Sequence, residues 1–435
     1  MPPMADASRL QADAARIRAA ALVAVDPVRL VSQRLAAEAL DLAGIERIVV
    51  VGAGKAAAGM AAGVEDALGP GGLARHRVTG LVSVPEAAGR RLARIEVRET
   101  RPAAANLPTP AVEAATREML AMLGGLGPHD LAIAVVSGGG SALLEAPREA
   151  HTLAETIALT QRLSRAGADI ATLNAARRAL SAVKGGGLAR ACRAGRLLAI
   201  VLSDVIGDDL EVIASGPCMP GEATPTAGAW TTPAGCAVRH LLVGTNATAV
   251  DAAAAAARAL GYEVLVRHAA PGSPTQAAAD DVGRRLAHEA RALATAVGHD
   301  GRPRAVVEGG ESTVTLPSDH GRGGRNQQTV LAAVAELAAS GGWPADVLLE
   351  SFGTDGEDGP TEAAGAFADA NVAAAIAAAG GDLPVAVARR DAHPVFANAG
   401  GLVVTGPTGT NVADLRLILA APADHLTRRT GSRLA

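Results

Sequence analysis

Three uninterrupted apolar runs, each halting on a glycine- or aspartate-bearing turn, restrict the fold of this chain more than any other feature. Arg47-Ile48-Val49-Val50-Val51 runs into Gly52-Ala53-Gly54-Lys55, Asp130 to Val136 into Ser137-Gly138-Gly139-Gly140-Ser141, and Leu197 to Leu202 into Ser203-Asp204 and Gly207-Asp208-Asp209. A strand that is apolar at every position is buried on both faces, which is the condition of a parallel sheet covered by helices. Helical spacing over Ala56–Leu68 and Ala111–Leu123, with further strands at Gly80–Val84 and Ile95–Arg98, completes alternating strand and helix units. The expected fold is therefore α/β, a doubly wound parallel sheet with its loops at the carboxyl edge.

The 435 residues exceed one ordinary core, so two domains are expected. Their limits are set at 1–235 and 236–435, with the Gly-, Pro- and Thr-rich stretch from Ser215 to Gly235 read as a linker or flap. The opening stretch, Ala5 to Leu42, has helical spacing and ends before Gly44. The second half is read as strands at His240–Val243, Glu263–Arg267, Arg304–Val307, Ser312–Leu316, Val347–Glu350 and Leu402–Thr405, with helices over Ala247–Leu260 and from Arg325 to Ala339.

Composition removes several function classes. The net charge is −4 and aromatics are 1%, which offers nucleic acid neither a basic field nor stacking platforms. No apolar stretch is long enough to span a bilayer, and the N-terminus does not read as a secretory signal, so a cytoplasmic protein with no membrane partner is expected. Cys192, Cys218 and Cys236 have no CxxC pairing and read as buried free thiols. Lysine is more telling: of 40 basic side chains only Lys55 and Lys184 are lysine. Both abut glycine, where a compact point cation on a thin stem does what arginine's planar fork cannot.

Glycine-rich turns after strands offer backbone amides to anions. Gly52, Gly54 and Lys55 lack a Walker A spacing and a complete dinucleotide fingerprint, with Ala57 in the third glycine position. Ser137, Gly138, Gly139, Gly140 and Ser141 suit phosphate or carboxylate, or form a tight turn with no ligand. Asn174, Arg177, Arg178, Ser181 and Lys184 step at three and four residues along one helix face, which is either solvated or functional. Asp204, Asp208, Asp209, Asp355 and Asp358 follow apolar strands and are either Mg²⁺ ligands or helix N-caps. Arg325, followed by Asn326, opens a helix behind glycines, where a guanidinium can fork onto carboxylate or phosphate.

In order, VGAGKAA, SGGGSAL, the Asn174–Lys184 motif, LSDVIGDDLEVIASGP, GGESTV, GRGGRNQQ, GTDGEDGPTEAAGA and TGPTGTNVADL resemble the glycerate 2-kinase family, whose C-terminal domain is called MOFRL. The resemblance covers Ile48 to Leu419. It implies a Rossmann-like N-terminal domain, a smaller mixed α/β C-terminal domain and an active site in the interdomain cleft. It further implies transfer of the ATP γ-phosphoryl group, with Mg²⁺, to the 2-hydroxyl of D-glycerate or a related hydroxy acid. Lys55 and Arg325 match the family's catalytic pair. Asp204 is expected to join them, with Asp204, Asp208, Asp355 and Asp358 serving Mg²⁺. The substrate and phosphate set is then Gly52, Gly54, Ser137–Ser141, Asn174, Arg178, Lys184, Asn326, Thr408 and Asn411. A homodimer is left open. Two stretches depart from the family pattern: Thr100–Pro108 replaces a Gly-His-Pro-x-Pro-Asp segment, and Gln328 stands where glutamate is usual. The competing readings are an NAD(P)H-dependent hydroxypyruvate reductase and a non-catalytic binder of phosphorylated metabolites.

Overall fold

The structure, a computed structural model, describes residues 5–102, 106–167, 170–220 and 229–422. It divides into two compact units: 25–245 with 409–412, and 5–24 with 246–408 and 413–422.

In the first unit seven strands form one sheet: β1 (Arg47–Ala53), β2 (Arg77–Pro85), β3 (Ile95–Arg101), β4 (Leu131–Val136), β5 (Arg196–Leu202), β6 (Ala229–Thr231) and β7 (Ala237–Gly244). Their order is β3-β2-β1-β4-β5-β7-β6, parallel except for β6. The order reverses between β1 and β4, so the turns leaving those two neighbours open a crevice at the carboxyl edge, the usual ligand position in such sheets.

Successive side chains of a strand face opposite sides. Val49 and Val51 of β1 join Ala115, Met119 and Leu123 of helix Pro110–Gly124 in one core. On helix Ala57–Arg75, Gly59 and Gly63 lie so close to Pro27 and Val28 that a Cβ at either would overlap them. The near absence of aromatic bulk is thus met by close backbone approach.

The expected helix from Ala5 to Leu42 is two, Ala5–Ala24 and Pro27–Ala37. Asp26 caps the second through Arg29 N at 2.8 Å, with Pro27 at its first position, a standard helix start. The first helix belongs to the other unit. There Arg18 meets Glu350 at 2.6 Å and Tyr262 donates to Asp13 at 2.9 Å. The strand read at His240–Val243 is β7, which pairs in parallel with β5 and so extends the first sheet. Of the stretch read as linker, residues 221–228 lie outside the described residues. Ala229–Thr231 forms β6, paired antiparallel with β7.

The second unit holds β8 (Glu263–Arg267), β9 (Arg304–Gly310), β10 (Val347–Gly353), β11 (Gly365–Ala368), β12 (Leu402–Val403) and β13 (Asp414–Ala420). The sheet order is β12-β11-β10-β13-β9-β8, with only β8 and β9 parallel. This is the expected mixed α/β architecture. The alternating stretch Ser312–Leu316 is not a strand and makes a single bridge from Thr313 to Ala278. The edge beside β9 is taken by β8 on one side and β13 on the other.

Cys192, Cys218 and Cys236 are free and buried. Cys236 Sγ donates to Cys192 Sγ at 3.7 Å, and burial pushes the Cys218 thiol well up. Although the Cys236 bond lowers the Cys192 thiol pKa, all three sulfurs are buried away from reagent, so a disulfide-exchange reagent should titrate no thiol in the native protein and all three after unfolding.

Candidate active site

In the first unit, the Gly52–Lys55 and Ser137–Ser141 turns are laced to each other. Ser137 N donates to Ala53 O at 3.2 Å and Lys55 N to Gly138 O at 2.8 Å. Ser137 Oγ accepts from Ala56 N at 3.1 Å. A Cβ at Gly52 would overlap Val135 O, and one at Gly54 would overlap Ser137 Oγ. These two glycines, at φ +153° and +138°, are therefore required by the approach of β1 to β4 itself. Gly139, at φ +76°, faces Lys55: a Cβ there would sit 3.5 Å from Lys55 Cγ. Half-buried Lys55 thus stands at the crevice beside the glycine turn.

Asp204, just past β5, lies over the same turn. A Cβ on Gly138 would overlap its Oδ2 and approach Asn411 Nδ2 to 2.5 Å, and Asn411 Nδ2 donates to Asp204 Oδ2 at 3.3 Å. Gly138, Asp204, Asn411 and, through Gly139, Lys55 form one cluster.

Other predicted residues turn out to build the wall. Lys184 is 1% exposed. Its Nζ lies 2.7 Å from Glu145 Oε2 and donates to Ser141 O and Leu144 O, both at 3.0 Å. With three donors on an ammonium, it is committed within the protein. The phosphate-binding role expected for it is replaced by clamping the turn that follows β4. Asn174 is likewise buried, accepting from Ser215 Oγ at 2.9 Å, and Ser215 Oγ lies 3.1 Å from Ser141 Oγ. Arg178 packs against Gly185, where a Cβ would meet its Cδ at 2.8 Å. Asp208 sits in the loop at φ +56°, its N–H bonded to Val205 O, and Asp209 accepts from Glu211 N at 2.9 Å.

In the second unit Arg325 begins helix Arg325–Ala339. Its Nε and Nη2 fork onto Asp414 at 2.7 and 2.8 Å, and Nη1 lies 3.5 Å from Glu311. Burial opposes its charge, but Asp414 holds the guanidinium pKa above its ordinary value. Asn326 Nδ2 donates to Asp414 Oδ1 at 3.0 Å, while its Oδ1 accepts from Ser351 Oγ at 2.6 Å. Asp414 is fully buried at the start of β13. It was not singled out in the sequence; its signal was a carboxylate at the head of Leu415–Ala420, a stretch apolar except at Arg416.

Asp358 resolves toward its capping alternative. Both carboxylate oxygens accept helix N-terminal amides, from Asn326 N at 3.0 Å and Gln327 N at 2.8 Å. A Cβ on Gly324 would overlap this carboxylate, which explains that glycine. Thr408 donates to Thr354 O at 2.6 Å, and Asp355 Oδ1 accepts from Glu357 N at 3.1 Å. Gln328 is buried and donates to Asp280 at 2.7 Å and Val387 O at 3.0 Å. Among the described residues no three or more His, Cys, Asp or Glu side chains gather into a metal site.

Burial raises the Asp358 pKa from 3.8 to about 6, against the amides that lower it. A raised folded-state value means this group's contribution to stability is present below pH 4 and lost as pH climbs to 6, by on the order of 3 kcal/mol. The difference in unfolding free energy between wild type and Asp358→Asn should therefore change across pH 4–6 and level off above it, as read by urea titrations at a series of pH values.

One unit with a doubly wound sheet whose switch-point turns gather Lys55, Asp204 and glycines, and a second unit with a mixed sheet in which Asp414 holds Arg325, define a two-unit α/β class of protein. Within that class the sequence relationships are direct. The chain belongs to the glycerate 2-kinase family. Residues 13–240 match the family model described as a domain of unknown function, DUF4147, and residues 304–414 match the MOFRL family. Human glycerate kinase is 36% identical over 453 aligned positions, covering 87% of this chain and 85% of that protein. An Agrobacterium vitis protein, provisionally named a hydroxypyruvate reductase, is 37% identical over 404 positions, covering 86% and 87%. The crystal structure of a glycerate kinase from Thermotoga maritima superposes with a TM-score of 0.80 at 31% identity, covering 95% of this chain and all of that one. No helix among the described residues is long and apolar enough to cross a membrane.

Proposed function

We propose that this chain is a glycerate 2-kinase, transferring the γ-phosphoryl group of ATP to the 2-hydroxyl of D-glycerate to give 2-phosphoglycerate and ADP. The observation that carries the reading is Lys55 standing beside the Gly138-Gly139 turn at the reversal of strand order, in a chain of this family. Phosphoryl transfer asks a protein mainly for positioning and for charge against the transferring oxygens. Lys55 supplies a point cation, and the amides of Gly138 and Gly139, unlike that of Gly140, which donates to Ser137 O at 3.1 Å, supply donors that need no reorganisation. Asp204, held over the turn by Asn411, receives the proton of the attacking hydroxyl or orients that hydroxyl. Arg325, locked by Asp414 on two of its N–H groups, turns its other edge, whose Nη1 lies 3.5 Å from Glu311, toward anionic substrate.

Mg²⁺ usually takes one or two carboxylates together with substrate phosphates. A lone aspartate over an anion turn fits that demand; among the described residues no group of three or more His, Cys, Asp or Glu forms an all-protein cage. Asp204 is the proposed ligand, with Asp208 on the same loop and Asp355 as further candidates. The ion, when bound, neutralises charge on the phosphate oxygens.

The Agrobacterium vitis name favours one other reading, reduction of hydroxypyruvate. Against it, Gly52 and Gly54 are accounted for by strand packing rather than by approach of a pyrophosphate. A coupled assay separates the two: ADP release dependent on ATP, Mg²⁺ and D-glycerate supports the kinase. Loss of nicotinamide absorbance with hydroxypyruvate, and no ADP release with any small hydroxy acid, would overturn it.

A further inference from the structure

The first unit contains a cavity of about 200 Å³ that is lined by Asn106, Leu107, Pro108, Gly139, Ser141, Ala142, Glu145, Thr156, Thr160 and Arg177. Three of its walls come from distinct segments. Asn106–Pro108 belong to the stretch that departs from the family pattern. Thr156 and Thr160 lie one turn apart on helix Leu153–Arg165. Arg177 reaches in from helix Ile170–Leu180.

The polar groups in this cavity are not all satisfied. Glu145 is 1% exposed; its Oε2 is paired with Lys184, but its Oε1 is buried with no hydrogen-bond partner among the described residues. Such an atom costs free energy unless a donor reaches it. Arg177 is half-buried, and no hydrogen bond or ion pair of its guanidinium is found among the described residues. The Glu145–Lys184 pair is neutral as a unit, so the Arg177 guanidinium leaves the cavity one positive charge. Its size equals roughly seven waters at about 30 Å³ each, below the range of about 300–1,000 Å³ typical of sites for larger ligands. No aromatic face is present to stack a base.

We propose that this cavity holds the hydroxy-acid acceptor, with Arg177 clasping the carboxylate and Glu145 Oε1 accepting a hydrogen bond from a substrate hydroxyl. The assignment rests on the kinase reading and deepens it. A guanidinium forks onto a carboxylate with two parallel bonds. The orphaned Oε1 requires a donor, which a hydroxyl of the same small monoanion provides. The location suits the reaction, because Gly139 lines the cavity on one side and abuts Lys55 on the other. Asn106, Leu107 and Pro108 then set the length of acid accepted, which gives their departure from the family pattern a consequence.

The test uses the full-length protein, with Arg177→Gln and Arg177→Lys as variants. Among the described residues the Arg177 guanidinium makes no hydrogen bond or ion pair and has the charge of Glu145 nearby, so both should fold, as checked by melting curves. In steady-state assays Arg177→Gln is expected to raise KM for D-glycerate at least thirtyfold and leave KM for ATP within twofold, with Arg177→Lys intermediate. Calorimetric titration with D-glycerate, without ATP, should show binding by wild type and at least tenfold weaker binding by Arg177→Gln. An active kinase whose KM for D-glycerate is unchanged in Arg177→Gln overturns the cavity assignment and leaves the kinase reading intact. If wild type phosphorylates no hydroxy acid, the kinase reading fails. Arg177-dependent binding of D-glycerate would then still support the cavity, and absence of binding would overturn it as well.

Discussion

Replacing Lys55 by alanine should lower kcat for glycerate phosphorylation by about 10³-fold, equivalent to roughly 4 kcal/mol of transition-state stabilisation, with the melting curve little changed. The expectation follows from where the side chain stands. Its backbone N–H closes the bond to Gly138 O that joins the two switch-point turns, and alanine keeps that bond. What alanine removes is the ammonium at the crevice. Lys55→Arg should recover little of the loss, because a broad planar fork on a three-carbon stem cannot take the position of a point charge against Gly139. Steady-state kinetics of the three proteins, with melting curves alongside, check both statements. A Lys55→Ala enzyme within tenfold of wild type would remove the lysine from the chemistry.

Asp414→Ala should destabilise the second unit by about 3–5 kcal/mol, the usual consequence of deleting one member of a buried ion pair. Asp414 is wholly buried and accepts two bonds from Arg325 and one from Asn326. Its removal leaves the guanidinium with only Glu311 at 3.5 Å and the Asn326 amide with only its 3.3 Å bond to Asp358. Asp414→Asn preserves one acceptor oxygen and should lose less. Activity should fall in both, since Arg325 would no longer be fixed on two of its donors. Urea unfolding of the variants reads the stability term, and kcat measured well below the transition reads the positional one. A loss under 1 kcal/mol in Asp414→Ala would show that Arg325 holds its position by other means.

Much of the first unit could be read directly because its strands announce themselves. After the leading arginines of β1 and β5, all three of β1, β4 and β5 are apolar or glycine throughout and run into glycine- or aspartate-bearing turns, and this local pattern follows from burial on both faces. The second sheet is mostly antiparallel, and its members lack so plain a signal. β13 was missed because Asp414 and Arg416 interrupt its apolar pattern, yet both are buried by pairing, Arg416 with Glu308 at 3.0 Å. Ser312–Leu316 alternates like a strand, but both flanks of the preceding β9 are taken by β8 and β13. For the site, lysine scarcity pointed to two positions with equal force. Only the fold separates Lys55 at the crevice from Lys184 buried against Glu145, because sequence carries no record of which glycine-flanked lysine meets a carboxylate 39 positions away. The aspartates raised the same difficulty: an N-cap and a metal ligand look alike until the amides of Asn326 and Gln327 are seen on Asp358.

The most direct test of the account is the identity of the product formed from D-glycerate, ATP and Mg²⁺, followed by phosphorus and carbon NMR. The account predicts stoichiometric ADP and a phosphate ester on carbon 2, absent with Lys55→Ala. An ester on carbon 3, or no phosphorylated product from D-glycerate, would contradict it.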